Sequence, residues 1–389
     1  MRVTDDTGGL SSVLRRVQEP SLTNFYARQR DHARFPLSSS DVEECSLREL
    51  LELADEESRA TWDGLTLGYG DVEGRAALRG EIAGLYPGLG ADDVLVCAGA
   101  DEAILLALTA ALNPGDHAVV TWPGYSSLLD VTRATGADVS LLRLDAGSGW
   151  AVDVDELRRL LRPATRAVVV NFPHNPTGAL PDAETFTALA ALAREAGAVL
   201  LADEVYRFLE RAETERLPPA AVFSNGVSLG ALSKSLGLAG LRVGWLATTD
   251  RRLLGRAAEL KHYTSGCGSA PSEVLALVAL RARERLLARS RARLASNLAL
   301  ADRFFAERLE LFDWEPPAAG CVAFPRLRAP VPIARFATRL VREEGVLVVP
   351  GSVYGDDGNR FRIGFGRACV PDALRAFARF IVDDGLLAR

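Results

Sequence analysis

Short apolar runs alternate with helix-patterned stretches from about residue 94 onward, and that alternation predicts an α/β fold: a mostly parallel central sheet with helices on both faces. "VLVC" (94–97) precedes a helical pattern over 101–113, "HAVVT" (117–121) one over 125–135, and "RAVVVNF" (166–172) one over 182–196. "AVLLAD" (198–203) and "VSLGAL" (227–232) supply two more strands. A second observation is the Ala/Leu/Arg pattern from 271 to 308, which reads as one or two amphipathic helices before a turn at Pro316 and Pro317. After it, "CVAFPRL" (321–327), "VLVVP" (346–350), "RFRIGF" (360–365) and a final helix near 371–385 form a smaller α+β unit. The expected division is an N-terminal segment (1–45), a large domain (46–270) and a small C-terminal domain (271–389). No internal repeat, heptad array or low-complexity tract interrupts it.

A chain of 389 residues, 48% hydrophobic and 25% charged, is expected to be soluble and globular, with room for two or three domains. A net charge of −6 and a pI near 5.5 argue against nucleic acid as the main partner. Cys45, Cys97, Cys267, Cys321 and Cys369 are odd in number and scattered, without C-x-x-C spacing, as expected of reduced thiols in a cytosolic protein. The opening "MRVTDDTGGL" lacks a signal-peptide core, and no apolar run reaches membrane-spanning length, so the expected location is cytoplasmic, with no membrane partner.

Cationic side chains are unevenly chosen. Of 45 lysines and arginines only Lys234 and Lys261 are lysines. A lysine kept where arginine fills the ordinary roles points to a task that guanidinium cannot do, such as attack on a carbonyl through a neutral amine. Chance survival under codon bias is the other reading.

In a mostly parallel sheet ligands bind at the carboxyl ends of the strands, so the residues after each run carry the information. "VCAGADEAI" puts Gly99, Ala100 and Asp101 between a strand and a helix start, where backbone N–H groups and the helix dipole face a phosphate; a plain turn is the alternative. "VVVNFPHNPTG" delivers Asn171 and, four residues on, Asn175; "AVLLADEVY" delivers Asp203 and Tyr206. Alone, the first is a turn marker and the second a helix cap. Together with Lys234 they bring polar atoms to one sheet edge.

"HNPTG" (174–178), "DEVY" (203–206), "SKSLGLAGLRVGW" (233–245) and "RFRIGF" (360–365), in this order and spacing, resemble the signature blocks of fold-type I pyridoxal-phosphate enzymes of the class I/II aminotransferase group, over roughly residues 60–389. The resemblance implies that Lys234 forms a Schiff base with the cofactor and later moves a proton as general acid and base. It implies that Asp203 holds the proton of the ring nitrogen, and that Asn175 and Tyr206 bond the ring hydroxyl oxygen. Arg242 and the N–H groups of Gly99, Ala100 and Asp101 would hold the phosphate, and Tyr125 of "WPGYSSL" would stack on the ring, a core tyrosine being the other reading. Arg362 resembles the arginine that takes the substrate α-carboxylate, with Arg360 and Arg367 as neighbours out of register. Tyr69 of "LGYGDVEGRAALR" matches the tyrosine that family dimers send to the neighbour's phosphate, which implies a homodimer with shared sites.

Two departures qualify the match. "PLSSSDVEE" (36–44) stands where the family carries a Gly-x-Gly-x-Pro type loop, and makes Ser38 and Ser39 candidates for the substrate roof; a solvated turn is the alternative. A similar serine-rich segment is found in the related capreomycidine synthases, which eliminate and cyclise on arginine derivatives. Ala231 replaces the usual phosphate-binding serine, leaving Ser233 or Ser235 to substitute. The first expectation is therefore an aminotransferase acting on an L-amino acid and a 2-oxo acid. The alternative is elimination, replacement, cyclisation or oxidation of a substituted amino acid, arginine-derived or γ-substituted. A non-catalytic sensor is disfavoured, because no winged helix fits before the motifs.

Overall fold

Continuous apolar strands need cover on both faces, and alternate residues of the central strands show where that cover lies. The computed structural model describes residues 10–16 and 21–383. Its main sheet contains β1 (Val94–Cys97), β2 (His117–Trp122), β3 (Asp138–Arg143), β4 (Thr165–Asn171), β5 (Val199–Asp203), β6 (Gly226–Ala231) and β7 (Gly244–Ala247), in the order β1-β7-β6-β5-β4-β2-β3. Ala167 and Val169 of β4 pack into one core with Leu106 of the helix Ala100–Ala111. Val168 and Val170 face another core, with Phe186 and Leu189 of the helix Ala183–Glu195. Helices therefore cover both faces. Among the described residues no helix is long and apolar enough to cross a membrane.

Strand direction sets the site. The pairs β2–β3, β2–β4, β4–β5 and β5–β6 are parallel, while β7 runs antiparallel to both β1 and β6. The carboxyl ends of β1 to β6 thus lie along one edge. Because β7 is reversed, its first residue, Gly244, lies at that edge between Cys97 and Ala231. Arg242, two residues earlier, is delivered there too. Neither β3 nor β7 was marked by the sequence pattern: β3 is an edge strand exposed at both ends, and β7 is a four-residue run inside a motif block.

In the C-terminal part β11 (Val349–Pro350), β12 (Phe361–Gly364) and β9 (Val322–Ala323) form an antiparallel sheet, and β10 (Arg326–Leu327) pairs with β8 (Phe312–Asp313). "CVAFPRL" is thus two ladders rather than one strand, with Pro325, which has no N–H, between them. The 271–308 pattern is two helices, Ala270–Arg281 and Arg283–Ala306, meeting at Ala282. The helix Ile333–Glu344 was not anticipated, although Ile333, Phe336, Ala337, Leu340 and Val341 are buried at helical spacing. It packs on the closing helix Val370–Asp383 around Phe377, whose ring lies 5.2–6.2 Å from those of Phe304, Phe312, Phe336 and Phe361.

The segment from Phe35 to Glu43 laces the two parts together. Phe35 N donates to Gly345 O at 2.8 Å, Gly364 N to Leu37 O at 2.6 Å, Val42 N to Lys234 O at 3.3 Å and Glu43 N to Gly366 O at 3.0 Å. Gly364 and Gly366 permit this approach, since a Cβ on either would strike the backbone of Ser39 or Asp41. Phe377→Ala should destabilise the C-terminal aromatic core by about 3–5 kcal/mol, the usual cost of removing a buried phenylalanine ring. Urea unfolding measures it, and a loss below about 1 kcal/mol would contradict this packing.

Candidate active site

The turn after β1 begins with Gly99, whose φ of 90° suits glycine, followed by the helix Ala100–Ala111. A Cβ on Gly99 would meet Arg242 Nη2 at 2.6 Å, and one on Gly244 would meet the Gly99 carbonyl carbon at 2.6 Å. Two backbones and a guanidinium converge here only because both residues are glycine. The Gly99 N–H is already bonded to Cys97 O at 2.8 Å. Gly99 therefore shapes the turn rather than donating from it, and the donors left by helix geometry are the first N–H groups of the helix, Ala100 and Asp101 among them. Arg242 is half exposed, 3.8 Å from the Asp101 carboxylate. A guanidinium beside an open helix N-terminus is a donor set for a phosphate dianion.

After β2, the Tyr125 hydroxyl donates to Asp101 Oδ1 at 2.8 Å, tying its ring to the same turn. After β4, Asn171 acts as a connector that strand-end reasoning noted without a role. Its Nδ2 donates to Asp203 O at 2.9 Å, and its Oδ1 accepts from Asn175 N at 2.9 Å, fixing two neighbouring strand ends together. His174 bonds Thr177 Oγ1 at 2.8 Å and is pushed down to about 4 by burial, so the ring that braces this loop is neutral.

After β5, Asp203 is buried, and burial pushes its carboxyl up to about 7, against the lowering effects of the Val205 N–H and of nearby Lys234. Such a group would be completed by a basic ring nitrogen. After β6, Lys234 Nζ donates to Ser40 Oγ at 3.0 Å, and Tyr206 Oη donates to Ser40 O at 3.0 Å. Ser40 is thus the serine at the lysine. Ser38 and Ser39, the residues singled out in the sequence, sit differently: Ser38 is fully buried with its hydroxyl unpartnered, and the Ser39 backbone packs on Gly364. Ser233 is buried next to the lysine, whereas Ser235 lines a small cavity with Tyr86 and Trp245.

From β12, Arg362 enters fully buried. Its Nη1 donates to Asn175 Oδ1 at 3.0 Å, and its Nη2 to Tyr26 Oη at 2.9 Å and Ser38 O at 2.6 Å. Every one of these acceptors is neutral, and Nε has no partner. The neighbouring arginines differ: Arg360 pairs with Asp356 at 3.1 Å, and Arg367 with Asp41 at 2.8 Å and with Glu44. Tyr26, on the helix Ser21–Gln29, carried no motif that sequence reasoning could have used. The Tyr69 side chain is fully exposed.

The donor set fits pyridoxal phosphate: a phosphate corner at Arg242, an amine at Lys234 and a buried carboxyl at Asp203. In the cofactor-free protein Asp203 holds its proton more tightly folded than unfolded, so the stability this provides is full below pH about 4 and is lost as pH rises through about 7. Urea titrations should show wild type losing up to about 1.4 kcal/mol per pH unit in that window relative to Asp203→Asn. Parallel pH profiles would contradict the burial of an ionisable group there.

The family model described as "Aminotransferase class I and II" matches residues 36–381. Capreomycidine synthase of Streptomyces vinaceus is 33% identical over 387 residues, covering 98% of each chain. A pyridoxal-phosphate-dependent aminotransferase structure from Streptococcus suis 89-1591 superposes with TM-score 0.88 at 29% identity, over 95% of this chain and 98% of its own. The cyclase OrfR, likewise dependent on pyridoxal phosphate, superposes with TM-score 0.85 at 33% identity, over 94% and 98%. With the match running from the serine segment to the closing helix, the chain belongs to the class I and II aminotransferase family, as a transferase that uses pyridoxal phosphate.

Proposed function

We propose that the chain moves the α-amino group of an L-amino acid to a 2-oxo acid, with Lys234 as the residue joined to the cofactor. The observation that supports an α-amino-acid substrate is Arg362, and the family match adds the amine transfer. A guanidinium is charged at every physiological pH, and burying it among neutral acceptors with its Nε–H unmet is costly unless an anion completes it. An α-carboxylate supplies two oxygens in the plane of the fork.

The cofactor contributes an electron sink for the pair left when the α-proton departs. The remaining work falls to side chains. Lys234, released by the incoming amine, would take the proton from the donor's Cα and pass it to the cofactor's aldehyde carbon, and would run the same transfer in reverse to place a proton on the Cα of the acceptor. Asp203 would hold the ring nitrogen's proton, and Asn175 would orient the ring through its hydroxyl oxygen, joined by Tyr206 once its hydroxyl turns from Ser40 O. Tyr125 covers one ring face, and Arg242, Ser233 and the N–H groups of Ala100 and Asp101 bind the phosphate. Tyr69, its side chain fully exposed, would complete that pocket in a second copy, making a homodimer with shared sites. Five free cysteines support a reducing, cytoplasmic setting.

A second reading has its own support. The serine segment sets Ser40 against Lys234, and relatives spanning nearly the whole chain include a capreomycidine synthase and a cyclase. Elimination or cyclisation of a substituted, arginine-derived amino acid uses the same carboxylate clamp and lysine. Mixing the holoprotein with a panel of L-amino acids, arginine and arginine derivatives included, separates the two. A transaminase should leave its cofactor in the amine form without an oxo acid and recover the aldehyde form on adding pyruvate. Consumption of an amino acid with the cofactor recovered as aldehyde and no amine transferred would overturn the first reading in favour of the second.

A further inference from the structure

The chain's other lysine has a position of its own. Lys261 ends the helix Arg251–Lys261 and is fully buried, with Nζ donating to Val72 O at 2.5 Å. A buried ammonium must be bonded, so this contact fixes Val72 firmly. Three residues on, Arg75 N donates to the buried Glu273 carboxylate at 2.9 Å. Between them, Glu73 O accepts from Val96 N of β1 at 2.9 Å, and Gly74 O from Arg79 Nε at 3.1 Å. Residues 72–75 are thus held by buried charges of opposite sign from two helices, and by the sheet.

The chain just before this anchor has the opposite character. Leu67 and Tyr69 are 82% and 102% exposed, and a Cβ on Gly68 or Gly70 would meet nothing within 4 Å. Two residues beyond Lys261, Tyr263 is 81% exposed, while Thr264 and Ser265 of the same turn donate to Glu102 in the phosphate-facing helix. Lys261 is the joint between two exposed, aromatic-tipped segments.

We propose that Lys261 is a positioning residue for the shared site: it roots the 65–71 arm so that Tyr69 is presented to the neighbouring subunit's phosphate pocket. This rests on reading Tyr69 as a group that acts across the dimer. Arginine cannot replace it. One carbonyl in a closed pocket suits a compact ammonium, whereas a guanidinium brings five donors on a rigid plane. Lysine therefore persists at 261 in a chain that otherwise uses arginine.

Titrating pyridoxal phosphate into cofactor-stripped protein, with dimerisation followed by sedimentation, tests this in a double-mutant cycle. Tyr69→Phe should weaken binding about tenfold or more, the loss of one hydrogen bond to a charged group. Lys261→Met should weaken it about as much, Lys261→Arg should behave like Lys261→Met, and the double variant Lys261→Met/Tyr69→Phe should be within about twofold of the weaker single variant. Multiplicative losses, or unchanged affinity in Lys261→Met while Tyr69→Phe is impaired, would overturn the role of Lys261 alone. Unchanged affinity in Tyr69→Phe would overturn the shared-site reading and the proposal with it. If Lys261→Met does not fold, Glu273→Gln loosens the same stretch from its other side and must show the same non-additivity with Tyr69→Phe.

Discussion

Arg362 brings a permanent charge to a place sealed from water, and much of the site is built around meeting it. Its two terminal nitrogens reach Asn175 from the β4 side of the sheet, Tyr26 from an N-terminal helix and Ser38 from the serine segment. Elements far apart in sequence are thereby drawn to one point. The same segment then passes over Lys234 and Tyr206 through Ser40. Arginine, segment and lysine form one connected network. A ligand that replaces a neutral acceptor on Arg362 acts on the roof over the lysine as well.

The second organising constraint is strand direction. The ends of β1, β2, β4, β5 and β6 on one edge bring the phosphate turn, Tyr125, Asn175, Asp203 and Lys234 together without long loops, and the reversed β7 adds Arg242. Gly99 and Gly244 allow the close approach that places a guanidinium beside a helix N-terminus. Asp203 lies deeper, where burial raises its carboxyl; Arg242 lies at the half-exposed rim. This difference in solvation matches a ligand with a basic nitrogen at one end and a dianion at the other.

Residues that follow strands could be located in the sequence because the strands themselves are continuous apolar runs, and polar atoms after them stand out. Choosing Arg362 over Arg360 and Arg367 needed the motif register, and burial shows the physical difference: the two neighbours have carboxylate partners. Ser40 could not be chosen from three adjacent serines, since an irregular segment has no periodicity to say which hydroxyl points inward. Tyr26 lies on a short helix with no motif, and its role arises from a contact with a residue 336 positions away. β7 was hidden because a four-residue strand beginning at a glycine is too short to show a pattern. Lys261 was noticed for its rarity, but what it holds is visible only in three dimensions.

The central claim is that Lys234 is the residue covalently joined to the cofactor, at the edge where these strands end. Reducing the holoprotein with borohydride and locating the pyridoxyl group by peptide mass tests it most directly, since the chain contains only two lysines. The label should fall on Lys234, in the peptide that carries Ser233 and Ser235, with Lys261 unmodified. A label on Lys261, or cofactor released unreduced from a fully loaded protein, would contradict the account.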